Sequence, residues 1–467
     1  MSLSTTLPAH IFRAYDIRGL VDQELTADTY YRLGLAFGHS CRLQGLRGVA
    51  VGGDNRPSTP GFAQSLSDGI QASGLDTFEI GIQPTPLGYF AREMVDRVGM
   101  AMVTASHNPK EFNGLKLGFR HAALSEEEIQ ALRPLTDSAQ PAVVRGHRRE
   151  IDVRTAYLED YDIRVGGPLG LRVVADCGNG TAGLYEPALS QQAAGACQGL
   201  FVEPNASYPN HHPDPSVAAN LAALAAAVVD SGADLGVGYD GDADRLGVVD
   251  HRGSFVMADR LMALWWQRIL EDHPGVEVPV EVKCSKILYD LATKWGGRPF
   301  YCRSGHAPMK IMLRQRRLLF AGELSGHLFF ADDYYGFDDA FYAAGRLYRM
   351  VAAAGRPLAD LLAELPQTVS TDEIRFATPD ADKFRLVQAL SQHYAARLPV
   401  VTVDGVRVEF PDGWCLVRAS NTQPVAVFRA EADDQAGLER ILKDVARSAD
   451  EVGWPALTSA AEQASAQ

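Results

Sequence analysis

Cysteine is scarce in this chain: six in 467 residues, at positions 41, 177, 197, 284, 302 and 415, with no C-x-x-C pair among them. That scarcity argues against a zinc ribbon or a disulfide framework and makes free, buried thiols in a reducing compartment the expectation. Long hydrophobic runs are also missing. The longest, Leu221 to Val229, is nine residues, where a membrane-spanning helix needs about 20, and no basic region followed by an apolar core opens the chain. A cytoplasmic protein with no membrane partner is expected. Positive charge is in deficit, 44 Lys and Arg against 58 Asp and Glu, for a net charge of −14. Such a balance argues against general nucleic-acid binding. No G-x-x-x-x-G-K-[ST] stretch occurs, so nothing supports a P-loop kinase.

The length predicts three or four domains, and short apolar runs alternating with longer amphipathic stretches predict α/β layers. An apolar strand running into a Gly/Asp turn recurs at 49–55, 173–179 and 235–241, an echo that suggests three related α/β units. Residues 456–467, rich in Ala, Ser and Gln, are expected to form a flexible tail.

Four short segments carry chemistry. Thr104-Ala105-Ser106-His107-Asn108-Pro109 follows the apolar run Val98 to Val103 and presents Ser106 at a strand end. A phosphoryl group on that serine would add a charge of about −1.5 to −2, which His107, Lys110 and Lys116 are placed to offset; an ordinary Asn-Pro turn is the plainer reading. Asp240-Gly241-Asp242-Ala243-Asp244-Arg245 follows Leu235 to Gly238. In an extended backbone its three carboxylates share one face and repel one another unless a cation lies among them, and all-oxygen ligation favours Mg²⁺ or Ca²⁺. An EF-hand is rejected, since Arg245 falls where its glycine belongs and His251 where its glutamate belongs. The G-x-G-x-x-G at Gly236, Gly238 and Gly241 is set aside as a dinucleotide site because the adjacent acids would repel a pyrophosphate.

Two further loops suit an oxygen-rich, phosphorylated ligand. Gly322-Glu323-Leu324-Ser325-Gly326-His327 offers a carboxylate and a hydroxyl to sugar hydroxyls, with His327 as a base near neutral pH. Arg418-Ala419-Ser420-Asn421-Thr422-Gln423-Pro424 offers a guanidinium fork, hydroxyls and an amide to a phosphate dianion. Either loop taken alone is more often a polar turn.

Together these four segments, in this order, resemble the signature loops of the α-D-phosphohexomutase superfamily, and most closely those of the bacterial phosphomannomutase/phosphoglucomutase group. The resemblance spans the full length. It extends to Phe12-Arg13-Ala14-Tyr15-Asp16-Ile17-Arg18-Gly19, Asn113-Gly114-Leu115-Lys116, Glu281-Val282-Lys283-Cys284-Ser285 and Ser304-Gly305-His306. It implies three topologically similar mixed α/β domains plus a smaller C-terminal α+β domain around a central cleft. Their expected bounds are 1–152 with the phosphoserine loop, 153–254 with the metal loop, 255–368 with the sugar loop and 369–455 with the phosphate loop.

The same resemblance implies that Ser106 is the phosphoserine and shares Mg²⁺ with Asp240, Asp242 and Asp244. Arg18, Lys116 and Arg245 would offset developing charge, with Lys116 and His327 as acid and base. Glu323 and Ser325 would read the sugar's O3 and O4. Lys283 and His306 would touch the sugar or its distal phosphate, and Tyr15, Arg418, Ser420, Asn421 and Thr422 would grip the non-reacting phosphate. The implied reaction interconverts hexose 1- and 6-phosphates of mannose or glucose through a bound 1,6-bisphosphate that turns end for end, the bisphosphate also serving as activator. A phosphoglucosamine mutase and a metal-dependent phosphohydrolase are the alternatives, and either a monomer or a dimer is compatible with the sequence.

Overall fold

The computed structural model describes residues 6–120, 122–420 and 424–465. The chain forms two compact units that exchange segments. One takes the chain up to Ala258 together with His306–Phe320 and Ser325–Asp360; the other takes Asp259–Gly305, Ala321–Leu324 and the chain from Leu361 onward.

The first unit holds two sheets of related connectivity. In the first, the strand order is Ile17–Leu20, Phe112–Phe119, Val98–Val103, Gly48–Gly53, Asp76–Ile82, Arg148–Glu150. Gly48–Gly53 runs parallel to both of its neighbours, and Val98–Val103 pairs antiparallel with Phe112–Phe119. The second sheet repeats the scheme: Leu171–Asp176 runs parallel to Gly195–Leu200 and to Leu235–Tyr239, which then pairs antiparallel with Leu246–Asp250. Gly48–Gly53, Val98–Val103, Leu235–Tyr239 and Leu246–Asp250 are buried along their whole length. Central strands covered on both faces need continuous apolar runs rather than alternation, which is why Val98 to Val103 reads as it does. In each sheet the loop that carries chemistry lies where the third strand ends and its antiparallel partner begins.

The repeating echo marks strand ends and does not fall once in each related α/β unit. Its second and third copies lie side by side in one sheet, with Leu235 opposite Val173. Any parallel strand that must end in a tight turn carries the same apolar-then-Gly/Asp pattern.

In the second unit Glu277–Glu281 pairs parallel with Arg298–Cys302. An antiparallel sheet follows, in which Val425–Ala432 pairs with Gly413–Ala419 and with Ile374–Ala377, and Gly413–Ala419 pairs with Val406–Phe410. Helices Asp380–Ala395 and Gln435–Glu451 bury Leu390, Ile441 and Val445 in the same core as Val417 and Phe428. The expected flexible tail is instead a helix, Pro455–Ser465, whose Leu457 and Ala461 join that core beside Trp454. Alanine looks featureless in a composition count, but it is the strongest helix former, and two buried positions one turn apart suffice to dock the segment.

Of the six thiols, five are buried and Cys197 is half-buried; all are free. Among the described residues no helix is long and apolar enough to cross a membrane.

Candidate active site

Ser106 stands just beyond the buried strand Val98–Val103, itself almost fully buried and in the left-handed region at φ 51°. A non-glycine residue there costs roughly 1–2 kcal/mol, so its neighbours must hold it. Its N–H donates to Thr104 Oγ1 at 2.9 Å. Its hydroxyl donates to Asp240 Oδ2 at 2.8 Å and lies 3.1 Å from His107 Nδ1. Burial, followed by the positive charge of Arg245, pushes the His107 imidazolium well below its usual range, so an uncharged ring flanks the hydroxyl.

The three aspartates do converge, though by a turn rather than by strand alternation. Residues 240–245 form the turn between two antiparallel strands, with Ala243 at φ 58°. All three carboxylates are fully buried, and ligand oxygens from each lie within 4.8 Å of one another. Asp240 Oδ1 accepts the N–H groups of Asp244 at 3.0 Å and Arg245 at 3.2 Å. Asp242 Oδ2 accepts from Thr85 Oγ1 at 2.6 Å, Lys116 Nζ at 2.7 Å and Thr104 Oγ1 at 3.2 Å. The other oxygens of Asp242 and Asp244, both Oδ1, are buried with no hydrogen-bond partner. Orphaned buried acceptors cost about 1–3 kcal/mol each, more when charged. Burial, together with Asp244 and Asp242, pushes the Asp240 carboxyl well above its usual range. Two unsatisfied carboxylate oxygens among three crowded acids fit a small oxygen-loving dication such as Mg²⁺.

Positive groups ring this cluster. Lys116, from the strand Phe112–Phe119, reaches both Asp242 and Asp244. Burial opposes its charge, but those two carboxylates outweigh it and hold the ammonium well above its usual range. Arg245 Nε donates to His327 Nε2 at 3.0 Å; that donor fixes the Nε2 lone pair toward it and leaves the ring proton on Nδ1, 3.1 Å from Asp338 Oδ2. His306 stacks on His327 at 5.6 Å between centroids, and Tyr15 meets His306 edge-on at 6.1 Å. Both His306 nitrogens are buried without a partner, and burial, then Lys310, pushes its pKa well below the usual range. Arg18 pairs with Asp16 and donates to Asn108 Oδ1 at 2.8 Å. Ser325 is half-buried in the turn before His327.

The second unit gathers another group of predicted residues. Glu281 is fully buried and accepts from Leu324 N at 3.2 Å and from Ser304 Oγ. Lys283 lies 3.7 Å from Glu281 and 3.5 Å from Glu373. Glu323 accepts from Gly305 N at 2.6 Å. Arg418 pairs with Asp404 at 3.0 Å, and Ser420 N donates to Val425 O at 3.0 Å. Asn421 and Thr422 lie outside the described residues. Sequence reasoning gave Glu281 no role although it opens a matched segment, and it missed Thr85, Asp338, Glu373 and Asp404, which orient or pair with the predicted groups. None of the missed residues stands inside a signature loop, so no local pattern marks them.

Comparison with known proteins gives matches along the whole chain. Residues 9–142 match "Phosphoglucomutase/phosphomannomutase, alpha/beta/alpha domain I", 156–253 match domain II, 257–369 match domain III and 373–448 match the C-terminal domain of the same family. A phosphomannomutase/phosphoglucomutase of Pseudomonas syringae pv. tomato is 40% identical over 443 residues, 94% of this chain and 95% of that protein. A phosphoglucomutase of Neisseria gonorrhoeae is 36% identical over 95% of this chain and 98% of its own length. The crystal structure of a phosphoglucomutase/phosphomannomutase family protein from Burkholderia thailandensis superposes with a TM-score of 0.89 at 37% identity, covering 96% of this chain and 99% of that one.

Proposed function

The chain belongs to the phosphoglucomutase/phosphomannomutase family, and from that premise we propose that it interconverts hexose 1-phosphates and hexose 6-phosphates of glucose, mannose or both, using Ser106 as the phosphoryl carrier. The observation that carries this reading is the Ser106 hydroxyl, 2.8 Å from the first of three buried aspartates, two of which keep an unpartnered oxygen. Asp240, Asp242 and Asp244, with an oxygen on phosphorylated Ser106, would hold Mg²⁺. The ion would supply electrophilic stabilisation of the transferring phosphoryl group.

The chain's own residues do the rest. In the forward step the P–O bond to Ser106 Oγ breaks as one forms to the free hydroxyl oxygen of the bound sugar phosphate. The hydroxyl proton leaves to a base, and the Ser106 alkoxide takes one up. Lys116 and His327 are the acid and base; because Arg245 occupies the Nε2 lone pair of His327, the ring accepts a proton there only when Arg245 lets go. Arg18, Lys116 and Arg245 offset the charge of the transferring group, as phosphoryl transfer demands more positioning and neutralisation than covalent help. Glu323 and Ser325 read O3 and O4, which keep nearly equivalent places when the 1,6-bisphosphate turns end for end. Lys283 and His306 meet the sugar or its distal phosphate. Tyr15, Arg418, Ser420, Asn421 and Thr422 hold the phosphate that does not react. A hexose 1,6-bisphosphate would prime Ser106 and so act as activator. Free cysteines, five of them buried, support a reducing, cytoplasmic setting.

The test is ³¹P NMR of Mg²⁺-loaded protein primed with glucose 1,6-bisphosphate and given glucose 1-phosphate or mannose 1-phosphate, with Ser106→Ala alongside. Formation of the 6-phosphates by the parent and not by the variant supports the reading. Inorganic phosphate as main product points to a hydrolase, and turnover of glucosamine phosphate alone to a phosphoglucosamine mutase.

A further inference from the structure

Arg56 lies outside every predicted segment, yet its side chain is fully buried, just after the strand Gly48–Gly53. A guanidinium has five N–H donors in a rigid fork, and here all five acceptors are identifiable. Nε donates to Asp54 Oδ2 at 3.0 Å. Nη1 donates to the carbonyls of Pro109 at 2.7 Å and Phe112 at 3.0 Å. Nη2 donates to the carbonyls of Ser106 itself at 2.9 Å and Asn108 at 2.5 Å. Four of the five bonds therefore end on backbone carbonyls of the serine loop and of Phe112, the first residue of the strand that follows it.

The anchor is itself braced. Asp54 Oδ1 accepts from Arg56 N at 3.1 Å and from Thr59 Oγ1 at 2.8 Å. On the far side the Ser106 carbonyl abuts the metal-binding turn: a Cβ built on Gly241 would lie 2.6 Å from it. The Ser106 carbonyl is thus pinned between a guanidinium and a turn with no room to spare, while its φ of 51° needs an external hold.

We propose that Arg56 is a positioning residue for phosphoryl transfer: it clamps the loop through four carbonyls and keeps Ser106 in the left-handed conformation that aims Oγ at Asp240. The inference rests on the reading of Ser106 as phosphoryl carrier. It assigns Arg56 no contact with substrate, so its loss should act on the chemical step and leave sugar-phosphate binding alone. Lysine cannot replace it, because one ammonium has three donors and no fork.

The experiment compares the parent with Arg56→Lys and Thr59→Ala in Mg²⁺ buffer, measuring kcat, KM for glucose 1-phosphate and the ³¹P resonance of phosphoserine. Parent turnover that depends on Ser106 is established first; if it is absent, the functional reading fails, and not the positioning role alone. With an active parent, folded Arg56→Lys is expected to lose about 100-fold in kcat, as a misplacement of about 1 Å can cause. Its KM should stay within about threefold and its phosphoserine resonance should move or broaden. Thr59→Ala, which removes one bond to Asp54 and the Thr59 acceptor of Asn113 Nδ2, should show a smaller fall of kcat at the same KM. A kcat near the parent's in folded Arg56→Lys, or a KM rise with kcat kept, overturns the proposal. If Arg56→Lys does not fold, an unchanged kcat in Thr59→Ala overturns it, and a kcat-only loss there supports it.

Discussion

Lys116 Nζ lies 2.7 Å from Asp242 Oδ2, with both side chains buried. The same ammonium reaches Asp244, so one lysine neutralises two of the three proposed metal ligands. In the proposed reaction it would compete with the cation for the same carboxylates while stabilising the charge of the transferring group. Lys116→Met should therefore lower turnover by about 10²–10³-fold, the usual cost of losing one preorganised charged donor. The same variant should bind Mg²⁺ more tightly, because a competitor is gone. Calorimetric titration with Mg²⁺ beside steady-state turnover checks both; weaker Mg²⁺ binding in the variant would contradict the competition.

Mg²⁺ should also stabilise the fold. A cation that binds only the native state adds RT ln(1 + [L]/Kd), about 2.7 kcal/mol at a hundredfold excess over Kd. Melting of chelator-treated protein against Mg²⁺ concentration should show a rising Tm that levels off. Asp240→Asn should blunt that rise while its own metal-free Tm stays level or increases, since burial and two neighbouring acids already disfavour the charge there.

Gly241 is needed for space, not for its backbone angles. An added Cβ would meet the Ser106 carbonyl oxygen at 2.6 Å and the Tyr208 hydroxyl at 3.0 Å. The first obstacle is main chain and cannot swing aside, so Gly241→Ala should push the aspartate turn and the serine loop apart. A kcat loss of at least tenfold is expected, with far-UV dichroism unchanged. An activity equal to the parent's would show that the two loops are not held in register by this contact.

Asp339 gives the fold a pH signature away from the metal ligands. Its carboxylate caps the helix Ala340–Ala354 and accepts from the Tyr157 and Tyr334 hydroxyls. Burial outweighs those bonds and pushes its pKa up from 3.8 to about 6. Between about pH 4 and pH 6 the native state therefore keeps a proton that the unfolded chain has released, so this group's contribution falls as pH rises through that window. Asp339→Asn should flatten the dependence of Tm on pH there. A slope as steep as the parent's in the variant would assign the titration to other acids.

Much of the site was readable because its signals are local. The apolar run from Val98 to Val103 is a strand with those bounds, and the serine and aspartate loops follow their strands as expected. What stayed hidden acts across the chain: Thr85 bonds to Asp242 over 157 residues, and Arg56 grips a carbonyl 50 residues away. Local spacing also misled where it stood in for tertiary context. The aspartates meet through a turn containing left-handed Ala243, and the helix Pro455–Ser465 owes its order to the core beside Trp454, which composition cannot show.

The way the chain divides has a consequence for its synthesis. It passes between the two units five times, at Ala258/Asp259, Gly305/His306, Phe320/Ala321, Leu324/Ser325 and Asp360/Leu361. Emerging from the ribosome, the first unit lacks His327 and Asp338 until Asp360 is near release. By then part of the second unit is already outside and waiting for its antiparallel sheet. No single cut yields either unit whole, so separately expressed halves should be poor folders, and co-expression of fragments split at residue 258 should not restore the parent's yield.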